Sequence, residues 1–240
     1  MSTLFISDLH LKPEAARLSD ILLRFLASSA RDATHVYVLG DLFDAWPGDD
    51  DIPDPFNAPV VDAFRALSDR GTPLSFQHGN RDFMLGEEFA RLTGGTLLPE
   101  EIVVDIEGTP TLLMHGDQLC TDDLGYQQFR RQVRNPQWQQ TMLGQPLAAR
   151  KALATQLREG SDIAKAGKSM DIMDANADAV ADAFRRHGVG RMIHGHTHRP
   201  GRHIHVVDGR DCERIVLPDW RDTGAYVEVD ATRVITNALV

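Results

Sequence analysis

The chain has 240 residues, 42% of them hydrophobic and 25% charged, an ordinary globular composition with enough apolar content for one sizeable core. Asp and Glu outnumber Lys and Arg by 35 to 25, and the net charge of −10 excludes the uniformly basic surface of a non-specific nucleic-acid binder. No apolar run approaches the roughly 18 residues of a spanning helix, and the opening MSTLFISDLHLK meets Asp8 and His10 before a secretory apolar stretch can form, so an intracellular protein is expected.

Short β-branched and aromatic runs predict strands at Thr3 to Ser7, His35 to Leu39 and Leu74 to Gln77. Between them, helical spacing of Leu18, Leu22 and Phe25 predicts a helix from about Pro13 to Ala27, and Val60, Val61, Phe64 and Leu67 predict another over Asn57 to Arg70. That alternation gives βαβ units on a partly parallel sheet. Closely spaced strands follow at Ile102 to Ile106 and Thr111 to Met114, with Glu107-Gly108 as a hairpin turn. From Thr121 to Met170 the strand signals vanish. Thr121 offers an N-cap, Asn135-Pro136 a stop, Pro146 a first-turn residue and Gly160-Ser161 a break, which reads as a helical insertion. A helix from about Asp171, carrying Ile172, Met173, Asn176, Val180, Ala183 and Phe184 on one stripe, stops at Gly188. It leads into a strand at Met192 to Ile193, and the rest reads as antiparallel β: His203 to Asp208, Arg214 to Leu217, Ala225 to Val229 and Val234 to Thr236. The expected fold class is α/β (α+β): two stacked mixed β-sheets flanked by helices. Residues 1–120 and 171–240 form the core, and 121–170 form a helical cap over the site.

Five polar clusters stand directly after predicted strands: Asp8-Leu9-His10, Gly40-Asp41-Leu42-Phe43-Asp44, Gly79-Asn80-Arg81-Asp82, His115-Gly116-Asp117 and Gly195-His196-Thr197-His198. A lone Asp or His after a strand is ordinarily a turn residue or a satisfied structural group. Five together, at strand ends where α/β sheets gather their ligands, point to one site. Asp8, His10, Asp41, Asn80, His115, His196 and His198 make seven candidate metal ligands, too many for one tetrahedral zinc and suited to two metals sharing a carboxylate. Cys120 and Cys212 lack metal-site or disulfide-framework spacing, so the donors are imidazole and oxygen, which suit Mn, Fe or Zn. His35, His78, His187 and His203 belong to no paired motif and read as structural or surface residues, and His194 as completing its strand.

The ordered series DxH, GDLFD, GNRD, HGD and GHTH resembles the calcineurin-like metallophosphoesterase superfamily, and within it SDLHL, LGDLFDAWPGDD, HGNRDF, LMHGD and IHGHTHRP look like the UDP-2,3-diacylglucosamine pyrophosphatases of lipid A biosynthesis, along nearly the whole chain. The resemblance implies two Mn²⁺ ions, one on Asp8, His10, Asp41 and His198 and the other on Asp41, Asn80, His115 and His196. It makes Asp41, Asn80, His115 and Arg81 catalytic. It places Asn80, Arg81, Asp123, Ser161, Lys168 and His196 at a UDP-2,3-diacylglucosamine substrate. Lys165 stands where that family commonly carries Asn and is expected either to face the diphosphate or to be a solvated helix residue. Water would attack the α-phosphate, giving UMP and 2,3-diacylglucosamine 1-phosphate.

Tyr126, Phe129, Val133, Trp138, Met142, Leu143, Leu147, Leu153, Leu157 and Ile163 give the insertion an apolar stripe for acyl chains. Residues 120–170 carry eight basic and four acidic side chains, so a locally basic cap is expected to meet an anionic membrane surface, with the protein cytoplasmic and peripheral to the inner membrane. A monomer is favoured. Asp44 and Asp117 are expected to orient metal ligands or cap turns, and Arg81 to clamp a phosphoryl oxygen in preference to pairing with Asp82. The competing readings are a broader phosphodiesterase or nucleotide pyrophosphatase on soluble substrates, and a non-catalytic scaffold, which the seven intact ligand types disfavour. A nuclease lacks support because the cap has no dense basic run with interleaved aromatics.

Overall fold

The computed structural model describes residues 2–166, 172 and 174–240. β1 (Thr3–Ile6), β2 (His35–Leu39) and β3 (Leu74–Gln77) are short apolar runs buried on nearly every residue, as parallel strands covered on both faces must be. They pair in parallel and continue to β4 (Thr96–Leu97), while β10 (Gly224–Val229) adds antiparallel to β1 and β11 (Val234–Leu239) to β10. The second sheet runs β5 (Glu101–Ile106), β6 (Thr109–Met114), β7 (Arg191–His194), β9 (Arg210–Val216), β8 (Gly201–Val207), with β6, β7 and β9 parallel. Glu107 and Gly108, both at positive φ, make the predicted β5–β6 turn.

Period-2 alternation assigns each strand's side chains to opposite faces. Phe5, Tyr37, Leu39, Leu113, Ile193 and Val227 meet in the layer between the sheets. Leu4, Ile6, Val36 and Val38 point outward to α1 (Ala16–Ala27), α2 (Asn57–Ser68) and α3 (Glu87–Thr93). On the far side, Leu112, Met114 and Met192 pack on Val180, Ala183 and Phe184 of α7 (Ala177–His187). The result is helix, sheet, sheet, helix, as the sequence predicts.

Four local expectations are corrected. The last helix begins at Ala177, not Asp171, because the Asn176 side chain accepts from the Asp178 and Ala179 N–H groups as its cap; Ile172 lies in a turn, and residues 171 and 173 lie outside the described residues. In the insertion, Asp123 and not Thr121 caps α4 (Leu124–Val133) by accepting from Tyr126 N–H. Asn135 caps α5 (Pro136–Leu143) while Pro136 takes its first turn, so the predicted stop is also a start. The predicted break at Gly160-Ser161 is absent, since α6 (Leu147–Ala166) runs through both; one interior glycine costs a helix only about 1 kcal/mol. Sequence periodicity also misses α3 and β4, which are seven and two residues long. No helix among the described residues is long and apolar enough to cross a membrane.

Candidate metal centre and adjoining cavity

Ser7–His10 follow β1, Gly40–Asp44 follow β2, His78–Asp82 follow β3, His115–Asp117 follow β6 and Gly195–His198 follow β7. Parallel pairing puts the ends of β1, β2 and β3 on one edge of the first sheet and those of β6 and β7 on one edge of the second. Backbone bonds then tie the loops together: Asp8 N–H donates to Gly40 C=O (3.1 Å), His10 N–H to Asp41 C=O (2.9 Å) and Gly195 N–H to His115 C=O (2.9 Å). Glycine is required where the loops touch. A Cβ on Gly79 would strike the Asp41 carboxylate, and one on Gly195 the Ser7 hydroxyl and Asp8 carboxylate.

Asp8 and Asp41 are both buried at the centre. Asp8 Oδ2 accepts from Ser7 Oγ (2.5 Å) and from His196 N–H (2.9 Å), which ties the two sheets at one carboxylate. Its other oxygen has no hydrogen-bond partner and lies 3.3 Å from His198 Nε2 and 3.9 Å from His10 Nε2. Asp41 Oδ1 accepts from Arg81 N–H (2.8 Å), while Oδ2 sits 3.7 Å from His10 Nδ1 and 3.8 Å from His115 Nε2. Asn80 Oδ1 lies 3.2 Å from His115 Nε2 and 2.8 Å from His196 Nδ1. All seven predicted ligands therefore converge. Donor atoms of Asp8, His10 and His198 fall within 4.8 Å of one another, as do those of Asp8, Asp41 and His115.

These residues fit divalent-cation binding. Asp8 Oδ1 and His10 Nδ1 are buried polar atoms without a hydrogen-bond partner, an arrangement that costs free energy unless something else satisfies them. Among the described residues, seven non-glycine residues have positive φ; five of them are Asp8, His10, Asp41, His196 and His198, at 48° to 65°, and the other two are hairpin-turn residues. Left-handed backbone costs an L-residue roughly 1–2 kcal/mol and recurs where function over-determines the geometry. Burial and the nearby Asp82 and Asp8 raise the Asp41 carboxyl to about 7 despite His115. Burial raises Asp8 too, but the His198 imidazole 3.3 Å away and the charges of His115 and His10 hold it well below the usual carboxylate range. Burial pushes His10 and His196 down to about 3, leaving neutral imidazoles with lone pairs to give.

Asp82 is the site residue that sequence reading missed. It is not the surface partner of Arg81: fully buried, it accepts from the N–H groups of Asp41 (3.2 Å), Leu42 (2.7 Å), Phe43 (3.4 Å) and Gly79 (2.8 Å), stitching the β2 loop to the β3 loop. An Asp three residues after a glycine at a strand end is the available signal, since its carboxylate can turn back onto the glycine N–H. Asp219, 3.4 Å from His198 Nδ1, is a second omission. His194 does more than complete β7. Its Nδ1–H donates to Gly195 C=O (2.8 Å) and its Nε2 accepts from Arg214 (3.2 Å), fixing the loop's first peptide.

Beside the cluster lies a cavity of about 800 Å³. Its lining includes Asn80, Arg81, Asp123, His196 and His198 together with the apolar side chains of Trp46, Phe83, Phe129, Trp138, Met142 and Leu157. Of the predicted apolar stripe, Val133 is instead buried and Leu143 exposed. Ser161 and Lys165 fall within α6, and Lys168 lies outside the described residues.

Asp44 and Asp117 cap no turn; they anchor the insertion. Asp44 pairs with Arg158 of α6, where Arg150 also pairs with Asp50, and Lys151 with Asp51 (2.6 Å) and Asp54 (3.1 Å). Asp117 accepts from Tyr126 Oη (2.7 Å) and Arg130 Nε (2.9 Å) of α4. Five of the insertion's eight basic residues, with Arg134 on Glu100, are thus matched by acids from the rest of the chain, so they do not form the open basic face the sequence suggests.

A two-sheet α/β core that aims carboxylates, imidazoles and an asparagine at one point defines a metal-dependent phosphoesterase, and residues 1–200 match the calcineurin-like phosphoesterase model. The chain belongs to that family and is a hydrolase. It is 50% identical to a UDP-2,3-diacylglucosamine hydrolase from Stenotrophomonas maltophilia, covering 96% of both chains. Identity is 51% to a protein of the same name from Aromatoleum aromaticum, over 96% of this chain and 94% of that one. Among solved structures, a dimetal phosphatase from Danio rerio shares the fold at a TM-score of 0.51 and 15% identity, over 100% of this chain and 96% of that one.

Proposed function

We propose that the protein hydrolyses the pyrophosphate bond of UDP-2,3-diacylglucosamine at the α-phosphate, releasing UMP and 2,3-diacylglucosamine 1-phosphate. The observation that carries this is the cavity whose lining joins many apolar side chains to Asn80, His196 and His198 of the buried carboxylate–histidine cluster. Names borne by relatives at about half identity over nearly the full chain support the same substrate.

In this reading Asp8, His10, Asp41 and His198 hold one Mn²⁺ and Asp41, Asn80, His115 and His196 the other. Such ions, when bound, neutralise phosphoryl oxygens and make water acidic enough to attack near neutral pH. Asp41, between His10 and His115, is the shared carboxylate. His115, with Nδ1–H donated to Leu39 C=O (2.8 Å), turns Nε2 toward the site, and Asn80 offers its carbonyl between His115 and His196. Arg81, which lines the cavity beside Asn80, clamps a non-bridging phosphoryl oxygen. The leaving group is itself a phosphate and needs no strong acid. Asp123, Ser161, Lys165 and Lys168 contribute the remaining polar contacts.

Residues 121–170 act as a cap over a core of 1–120 and 171–240, and the cap's apolar wall holds acyl chains. Leu124 and Leu143, exposed next to cavity-lining Asp123 and Met142, support peripheral attachment of a cytoplasmic monomer to the anionic inner-membrane surface. Changing Trp138 or Met142 to Asp is expected to raise KM for the diacylated substrate at least about tenfold, because a carboxylate against an acyl chain is desolvated without a partner. UDP-glucosamine without acyl chains should be affected far less, and equal effects on both would remove the acyl-chain role.

The direct test is incubation with UDP-2,3-diacylglucosamine and phosphorus analysis of products. Chelated protein should release no UMP, and Mn²⁺ should restore release. Equal turnover of non-acylated UDP-sugars would favour a general nucleotide pyrophosphatase.

A further inference from the structure

At its C-terminal end the α4 helix reaches past Asp117 to the loop that follows β3. Arg134, its C-terminal cap residue, has a side chain only 11% exposed and donates from Nη2 to the carbonyls of His78 (3.2 Å) and Gly79 (2.9 Å). Those peptides immediately precede Asn80, whose Oδ1 lies between His115 and His196. The N–H groups of the same loop are held elsewhere: Gly79 N–H by Asp82 and Arg81 N–H by Asp41. Arg134 thus holds the acceptor side of a loop whose donor side is already fixed. Its guanidinium also lies near two acids, Glu100, 3.2 Å from Nε, and Asp117, 3.9 Å from Nη2.

We propose that Arg134 is a positioning residue for Asn80, by which the inserted α4 helix sets the placement of a metal-centre side chain it does not itself touch. An unpinned His78–Gly79 segment can rotate its peptides, and rotation there swings the Asn80 carbonyl away from His115 and His196. A planar guanidinium suits this task because one nitrogen can span two adjacent carbonyls while the others take acids. The proposal rests on the two-metal reading above, in which Asn80 serves only one of the two ions.

The test compares Arg134→Met, Arg134→Lys and Glu100→Gln with wild type by Mn²⁺ titration followed by electron paramagnetic resonance, and by separate determination of kcat and KM. Partners behind metal ligands are worth roughly 10- to 100-fold in affinity or activity. Arg134→Met is therefore expected to weaken one of two Mn²⁺ sites, and to lower kcat, by that factor, with KM changed less than about threefold. Arg134→Lys, which keeps one charged donor, should recover part of both losses and guards against a Met variant that does not fold. Glu100→Gln removes the neighbouring ion pair but leaves the carbonyl bonds, so both Mn²⁺ sites should stay near wild type. Normal Mn²⁺ affinity in Arg134→Met, or equal loss in Glu100→Gln, overturns the positioning role. Wild-type protein that takes up no Mn²⁺ overturns the metal reading itself.

Discussion

Replacing Asp41 with Asn is expected to lower kcat roughly thousandfold or more, because the charge shared by the two halves of the centre is lost while its shape remains. Asn is the informative substitution. Asp41 has a φ of 53°, which Asn tolerates better than Ala, so Asp41→Ala would mix backbone strain with loss of charge. The same variant should be more stable without metal. A carboxyl whose folded pKa stands at about 7 keeps its proton in the fold between about pH 4 and 7, where the unfolded chain has released it, so raising the pH through that window weakens the metal-free fold. Above pH 7 wild type carries that full penalty and Asp41→Asn carries none. In chelator at pH 8 the thermal midpoint of Asp41→Asn should exceed wild type by at least about 2 °C. A lower midpoint would mean that the ionised carboxylate stabilises the fold unaided.

The largest stability effect is expected at Asp82. Asp82→Ala leaves four buried N–H groups from two loops without their acceptor. Removing one side of a buried, charge-assisted network costs about 3–5 kcal/mol, and the thermal midpoint should fall by roughly 10 °C. Activity should fall with it, since Asp41 N–H is among the released donors and Asp41 moves with its peptide. Asp82→Asn keeps one acceptor oxygen and should lie between. Urea midpoints of the three proteins check the order, and an unchanged midpoint in Asp82→Ala would show that water replaces the carboxylate without cost.

Much of this arrangement is legible in the sequence because strand ends are both a structural and a chemical signal. β2 and β3 fall at the residues their apolar runs predict, and the polar clusters after the strands converge as expected. Features that depend on partners distant in sequence are not legible. Arg150 meets Asp50 across a hundred residues, and nothing in either neighbourhood distinguishes that pair from two solvated charges. The same holds for Asp82, whose burial follows from the meeting of two loops. Helix α3 escapes detection because seven residues with Phe89 as the main buried anchor make too brief a pattern.

The carboxylate of Asp8, bonded to the N–H of His196, also sets a schedule for synthesis. The first four polar clusters leave the ribosome well before the fifth, which begins 78 residues past Asp117 and at elongation rates of about 5–20 residues per second follows roughly 4–16 s later. During that interval Phe5, Tyr37 and Leu39 lack Ile193, and Val227 follows later still, so the layer between the sheets is half built. The fifth cluster therefore arrives with β7, the strand that brings Ile193 into that layer, so the candidate metal centre cannot assemble before its two sheets begin to close on each other.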